Sequence, residues 1–466
     1  MIKFSQFFTL VTEALRSGPL KTHLSHIEDL VLEGGKRGFD DFKEQIEEFI
    51  KFLRGFDSNT DINLKVDGAP ALYFGYDVRR GYEGVFFVAT KSSFNTTPLI
   101  NHNDLDIENN HSKSPGLQFI LKQALRYLKP LYEQLAPSIG NRMVQTDFLF
   151  KSSDDLKKEE IDGSEYITFH PQLIKYAIPV DNKSDLYRSV YNSEVGIAIH
   201  DLWDIESDSD TNRMVPITNK PKDPSLVDKF VLTGQSLGVF VVNSMYTRES
   251  TGLKVDDKII QKIEDLLNAA EMEIMDIPEE YDERFFATLA HDGTDTDIRK
   301  DLKHELKLVD LFRIFVNGEV RKAAQGSSNV YQHALQGSTF NDSYFNVAIR
   351  EFLHSRRVLE VSKKKSDKGK SASEQFFDIL DDLKDSFKLY FKATYHLIQI
   401  KHLLVEILDK VDTTLKIGKT FYPEGDGFKL DKGEGFVLFV GDNHIKVVDR
   451  IAFSGRNLTT GKFQKK

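Results

Sequence analysis

The chain has no cysteine among its 466 residues. That absence excludes disulfides, thiolate zinc centres and a cysteine nucleophile, and it fits a reducing compartment. No apolar run approaches the roughly 20 residues needed for a membrane-spanning helix. The opening Met1-Ile2-Lys3-Phe4-Ser5-Gln6-Phe7-Phe8 is too polar and too short for the core of a secretory signal. The expectation is a soluble, cytoplasmic protein without a membrane partner. Excess positive charge is also missing, the net charge being −10. Any surface that meets nucleic acid must therefore be a local basic stripe on an acidic body.

What is present is enough apolar material for real cores, 40% of residues, with 35 Phe and 16 Tyr making them aromatic-rich. The length suggests about two to three domains. Residues 1–16 and about 38–52 carry helical periodicity, the second through Phe39, Phe42, Ile46, Phe49 and Ile50. Strand-like runs follow: Ile62 to Leu64, Ala71 to Phe74, residues 84–94, 142–150, a pair about Pro171, and 194–204. An Asn-rich loop is expected over 95–115 and a helix over about 115–135. From about 222 to 415 helical periodicity replaces strand alternation, most clearly over 374–410. A solvated lysine-rich stretch lies at 363–371. Strand character returns at 416–453, with a hairpin turning at Gly441-Asp442-Asn443. The boundaries read from this texture are 1–56, 57–221, 222–415 and 416–466, in an α+β fold.

The most informative stretch is Leu64-Lys65-Val66-Asp67-Gly68-Ala69-Pro70. It puts one amine between an apolar strand and an Asp-Gly turn. A lysine ammonium has an ordinary pKa near ~10.4, so it attacks at neutral pH only where burial or nearby cations depress that value. The same four residues also suit a solvated lysine on a plain hairpin turn, and the partner motifs decide between the two. Two other spots invite a metal reading, His23 with His26, and His291 with Asp292. Neither has a third ligand at useful spacing.

Lys65-Val66-Asp67-Gly68 resembles the nucleophile motif of the covalent nucleotidyltransferases: DNA ligases, RNA ligases and capping enzymes. Further motifs follow in that superfamily's order. Thr90-Lys91-Ser92 resembles its polar turn. Gln145-Thr146-Asp147-Phe148 resembles its ribose-holding acidic motif, with Asp147 where glutamate is usual. Ile197-Ala198-Ile199-His200-Asp201 resembles the strand that stacks a ring on the base. Glu434-Gly435-Phe436-Val437 and Ile445-Lys446-Val447 look like its last two motifs. A closer resemblance, carried by His23-Leu24, His26-Ile27-Glu28-Asp29, the Lys65 motif, residues 87–95, Asp106-Ile107-Glu108 and Ser114-Pro115-Gly116-Leu117, is to uncharacterised proteins of tailed phages similar to ATP-dependent ligases.

The resemblance implies a nucleotidyltransferase (ATP-grasp-like ligase) catalytic domain built on antiparallel sheet, with a large all-α insertion. It implies ATP and Mg²⁺ as cofactors and nucleic-acid strand ends, RNA or DNA, as partners. Lys65 would take AMP as a phosphoramidate, with Lys446 and Lys91 as the other catalytic cations. Leu64, Asp67, Gly68, Asp147, His200 (or Ile199) and Val437 would contact the nucleotide. Glu434 and Asp147 would hold the metal. The chain departs from the pattern at Pro70, where many ligases place a ribose-binding arginine. Only about twenty residues follow Lys446, too few for an appended OB-fold. The implied activity is an ATP-dependent polynucleotide ligase. A capping-type transferase, or a non-catalytic relative that binds nucleic acid, remains the alternative.

Overall fold

The computed structural model describes residues 26–95, 97–220, 224–286, 288–289, 306–307, 372–424, 427–441 and 443–452. The helix expected at 1–16, His23, the His291-Asp292 pair, the 363–371 stretch and the residues after 452 lie outside them.

In chain order, helix α1 (Leu30–Arg54) begins earlier than its periodicity suggested, with a break at Gly35. Strands β1 (Thr60–Leu64), β2 (Ala71–Tyr76), β3 (Phe86–Ala89) and β4 (Ile100–Asn101) follow. The stretch expected to be an Asn-rich loop contains β4 and helix α2 (Asp104–Asn110). The reason is a cap: Asn103 Oδ1 accepts from the Asp106 amide at 3.0 Å, and Asp104 and Asp106 occupy the positive end of the helix. Helix α3 (Pro115–Ile139) and strand β5 (Met143–Lys151) come next. Strands β6 (Lys157–Ile161), β7 (Ser164–Phe169) and β8 (Lys175–Pro179), helix α4 (Asp185–Tyr191) and strands β9 (Val195–Ser207) and β10 (Met214–Lys220) continue the chain.

Beyond 222 the structure departs from the all-helical expectation. Helix α5 (Pro224–Ser236) is followed by strands β11 (Val239–Val241) and β12 (Met245–Tyr246). Val239-Phe240-Val241-Val242 is too short for a helix and suits a buried strand. β11 accordingly pairs in parallel with β9. Helices α6 (Asp257–Met275), α7 (Glu279–Phe286) and α8 (Ala372–Leu408) carry the helical part proper. Strands β13 (Lys419–Glu424), β14 (Gly427–Asp431), β15 (Phe436–Val440) and β16 (Asn443–Val447) close the described chain. The whole is α+β. Among the described residues no helix is long and apolar enough to cross a membrane.

Two compact units result, each drawn from several stretches of chain. The first holds Asp61–Thr251 and Asp412–Asn443. The second holds the described residues of 23–60, 252–411 and 444–466. By this division the chain parts between Thr251 and Gly252, and the described helices before residue 60 fall in the same unit as those after 252.

In the first unit, a sheet in the order β10-β9-β5-β2-β3-β4, with β11 on β9, packs one face on α3 and α5. Alternation along β2 shows the division: Leu72 and Phe74 join Leu128, Leu131 and Phe230 in the core, while Tyr73 turns to the other face with Phe87 and Met143. A second sheet runs β14-β13-β8-β7-β6, and β12, β1 and β15 lie side by side in a third. In the second unit α1, α6 and α8 pack together. Phe39, Phe42, Ile46, Ile263, Leu267, Leu397 and Leu404 are buried there. Salt bridges such as Arg54–Glu264 at 2.8 Å lie at its margins.

Three histidines are held below their ordinary pKa by burial: His26, down to about 2, His111 and His396. The positive charges of Lys401, Arg450 and Lys446 add to the effect at His26, against Glu28. Between pH 2 and the ordinary imidazole value of 6.5 the unfolded chain therefore binds protons that the folded chain refuses. Stability is fully present above that value and falls as the pH drops below it. We predict that the thermal midpoint falls between pH 7 and pH 5, and that His26→Asn, which keeps an acceptor for Lys401, flattens this slope. An unchanged slope in the variant would contradict the assignment.

Candidate functional site

The Lys65 loop is not a hairpin turn. β1 and β2 belong to different sheets, and residues 65–70 carry the chain from one to the other. Backbone hydrogen bonds pin this crossing to four other segments. Leu64 N–H donates to Ser244 O at 2.8 Å and Lys65 N–H to Gly435 O at 2.9 Å. Asp67 N–H donates to Tyr176 Oη at 2.8 Å, and the same hydroxyl donates back to Asp67 O at 3.2 Å. Gly68 N–H donates to Asp147 Oδ2 at 3.2 Å. Ala69 N–H donates to Phe148 O at 2.9 Å, and Phe148 N–H to Pro70 O at 3.1 Å. Val66 is buried and serves as the apolar anchor.

Two glycines make this possible. A Cβ on Gly68 would lie 2.7 Å from Phe148 O and 2.8 Å from Asp147 Cβ, so only glycine lets the loop lie against β5. Gly435 has φ of 112°, which a side-chain-bearing residue rarely adopts, and its carbonyl receives the Lys65 amide. The Glu-Gly pair of the sequence thus aims both the carbonyl of Gly435 and the carboxylate of Glu434 at Lys65.

Glu434 Oε2 forms an ion pair with Lys65 Nζ, and the Glu434 side chain is only 3% exposed against 21% for Lys65. Two residues 369 positions apart in the chain thereby meet. Asp67 and Asp147 are close enough to act on the same amine, and both favour its charged form. Burial acts the other way and prevails, so the Lys65 pKa lies below the ordinary lysine range.

The sheet supplies Asp147 and His200. Asp147 sits opposite Ala71 on β2 and Ala198 on β9, on the face away from α3. The β5–β9 register passes from Gln145↔Asp201 to Thr146↔Ile199, so His200 is the extra residue of a β-bulge. Ile199 turns into the core, and His200 Nε2 lies 3.0 Å from Asp147 Oδ2. Of the two residues open for stacking, only His200 reaches this face.

The other expected residues fall as follows. Leu64 and Val437 are buried packing residues on the neighbouring strands β1 and β15. Lys91 is exposed, in a short 3-10 turn capped by Thr90, just past the end of β3. β3 pairs with β2 through Tyr73↔Ala89, so Lys91 leaves the sheet at the end where β2 starts. Lys446 belongs to the second unit, where its backbone forms a parallel bridge with His26. Among the described residues no group of three His, Asp or Glu side chains forms a metal cluster. Sequence reasoning missed Tyr176 and Ser244 as supports of the loop, because a hydroxyl and a backbone carbonyl leave no motif; Gly435 stood in a motif, but the role of its carbonyl did not show there.

Gly68→Ala should cost about 1–3 kcal/mol by forcing the loop off β5, read as a lower denaturant midpoint. A midpoint equal to wild type would show that the close approach is not as drawn.

A family model, that of a family of unknown function (DUF6267), matches residues 21–462. No curated protein and no solved structure matches the chain.

Proposed function

This chain belongs to the family of unknown function DUF6267, and we propose that within it Lys65 is the nucleophile of a covalent nucleotidyltransferase, acting as an ATP-dependent polynucleotide ligase. The observation that carries the reading is the meeting of Lys65 with Glu434 inside a ring of carboxylates, under burial that lowers the amine's pKa. A lysine kept only as a surface charge has no need of such a setting.

In the proposed reaction the neutral Lys65 amine attacks the α-phosphorus of ATP. A P–N bond forms, the bond to the bridging oxygen breaks, and pyrophosphate leaves. A 5′-phosphate oxygen of a nucleic-acid strand then displaces Lys65, giving a capped strand end. A 3′-hydroxyl finally attacks the 5′-phosphate and AMP departs. Asp147 and His200 line the face where the nucleoside would lie, with Asp147 also tying down Gly68. Lys91, in the same unit as Lys65, is the cation assigned to phosphate oxygens, where negative charge must be met. Glu434 and Asp147 are hard oxygen donors facing one amine, and Mg²⁺ ordinarily takes one or two carboxylates with the rest of its shell from water and phosphate. The ion would supply further positive charge to the α-phosphate. With Pro70 at the position where arginine is usual, ribose contact falls to Asp147.

Incubation with labelled ATP and Mg²⁺ followed by denaturation should leave AMP on wild type and none on Lys65→Ala. The rate of labelling should rise with pH and level off below the ordinary lysine range near ~10.4. Asp147→Asn removes an influence that raises the Lys65 pKa, so its profile should shift to lower pH. No adduct in wild type, or an equal one in Lys65→Ala, sinks the reading. An adduct without joining of RNA or DNA ends would move the acceptor to another class.

A further inference from the structure

The face assigned above to the nucleoside carries a further pair of polar side chains that the reaction does not use. Ile199 and Leu202 both lie in the core on the α3 side, so the bulge turns His200 and Asp201 together to the other face. Asp201 stands directly opposite Gln145 on β5. Val144, next to Gln145, is in the core, so Gln145 shares the face of Asp201. Both are buried, Asp201 at 6% exposure and Gln145 at 8%. Trp203 belongs to the same side, packed with Tyr73, Phe87 and Met143.

Gln145 is held in one orientation. Its Oε1 accepts from Trp203 Nε1 at 3.0 Å, and an indole nitrogen only donates. The Gln145 amide nitrogen is left over, and among the described residues it donates to no group. The Asp201 carboxylate accepts from none of them either. A buried polar group without a hydrogen bond is costly, and folded chains keep few. Here two stand side by side, roughly 5 Å apart at Cβ, one an acceptor and one a donor. Adenine is the complement: its exocyclic amine donates, and the ring nitrogen beside it accepts. Guanine and hypoxanthine put a carbonyl oxygen where adenine has the amine, and that oxygen would face the carboxylate. The placement agrees. Asp147 ties down Gly68 of the Lys65 loop, and Gln145 lies two residues further from that loop along β5, about 7 Å away. A nucleotide presents phosphate, ribose and base in that same order.

We propose that Asp201 and Gln145 read the base, with Asp201 accepting from the amine of adenine and Gln145 donating to a ring nitrogen, and so select adenine over 6-oxopurines. The proposal rests on the reading of this face as the nucleoside's.

Trp203 is the only tryptophan of the chain, so its emission reports on the neighbouring Gln145 with no covalent step. The test is titration of the full chain with ATP, ITP and GTP, in wild type and in Lys65→Ala. ATP should change the emission saturably in both, and ITP and GTP should bind about tenfold to a hundredfold more weakly. Asp201→Asn keeps the shape and can turn a donor toward a carbonyl oxygen, so its preference for ATP over ITP should fall about fivefold or more. Without nucleotide its thermal midpoint should be no lower than that of wild type, since no described group depends on the carboxylate. An equal response to ATP and ITP in wild type, or an unchanged preference in a folded Asp201→Asn, overturns the base-reading pair and leaves the ligase reading intact. A midpoint far below wild type would assign the carboxylate to the fold and overturn the pair as well. Selective binding of ATP with no adduct on Lys65 sinks the ligase reading and leaves the adenine site standing.

Discussion

Burial of a single amine against surrounding negative charge is the constraint on which the first unit's site depends. Asp67 and Asp147 both act to keep Lys65 protonated, and Glu434 is paired with it. Desolvation outweighs the two aspartates, and the amine's pKa falls. A site balanced this way pairs lysine with a carboxylate and still makes its proton easier to lose than that of an exposed lysine. Tyr176 feels the same environment: burial and the adjacent carboxylates push its hydroxyl well above the usual range. It therefore stays protonated and keeps donating to Asp67 O.

The rigidity of the arrangement comes from the backbone. Between Leu64 and Pro70 the chain makes its hydrogen bonds with Ser244, Gly435, Tyr176, Asp147 and Phe148, residues of four separate stretches. No regular element could bring these together, because the loop passes between sheets. Gly68 and Gly435 are the positions where a side chain would prevent it. The second unit meets a similar demand differently, with a buried ionic network joining segments far apart in sequence.

Strand and helix identities were largely legible, because β1, β2, β5 and β9 carry short, largely buried runs bounded by polar or turn residues and α3 and α8 repeat at helical spacing. The nearness of Lys65 to Glu434 was foreseen from ordered motifs. Other features were not. The short β11 was absorbed into a helical window, since three apolar residues carry no period of their own. Asn103 was taken for loop polarity when its side chain caps a helix. The choice between Ile199 and His200 turned on a β-bulge, and a bulge is a matter of register between strands that one strand's sequence does not record. The ion pair of Glu28 with Lys401 was hidden because the two lie 373 positions apart and each alone reads as a surface charge.

The most direct measurement of the central claim is the proton affinity of Lys65 itself, with no nucleotide present. Trace acylation of all amines over a range of pH, with each lysine quantified by peptide mass spectrometry, gives a titration curve for every site. The account predicts that the Lys65 reactivity inflects at lower pH than that of the exposed lysines such as Lys91. An inflection at or above the exposed lysines would mean that the carboxylates prevail over burial, and that the amine is a structural ammonium instead of a nucleophile.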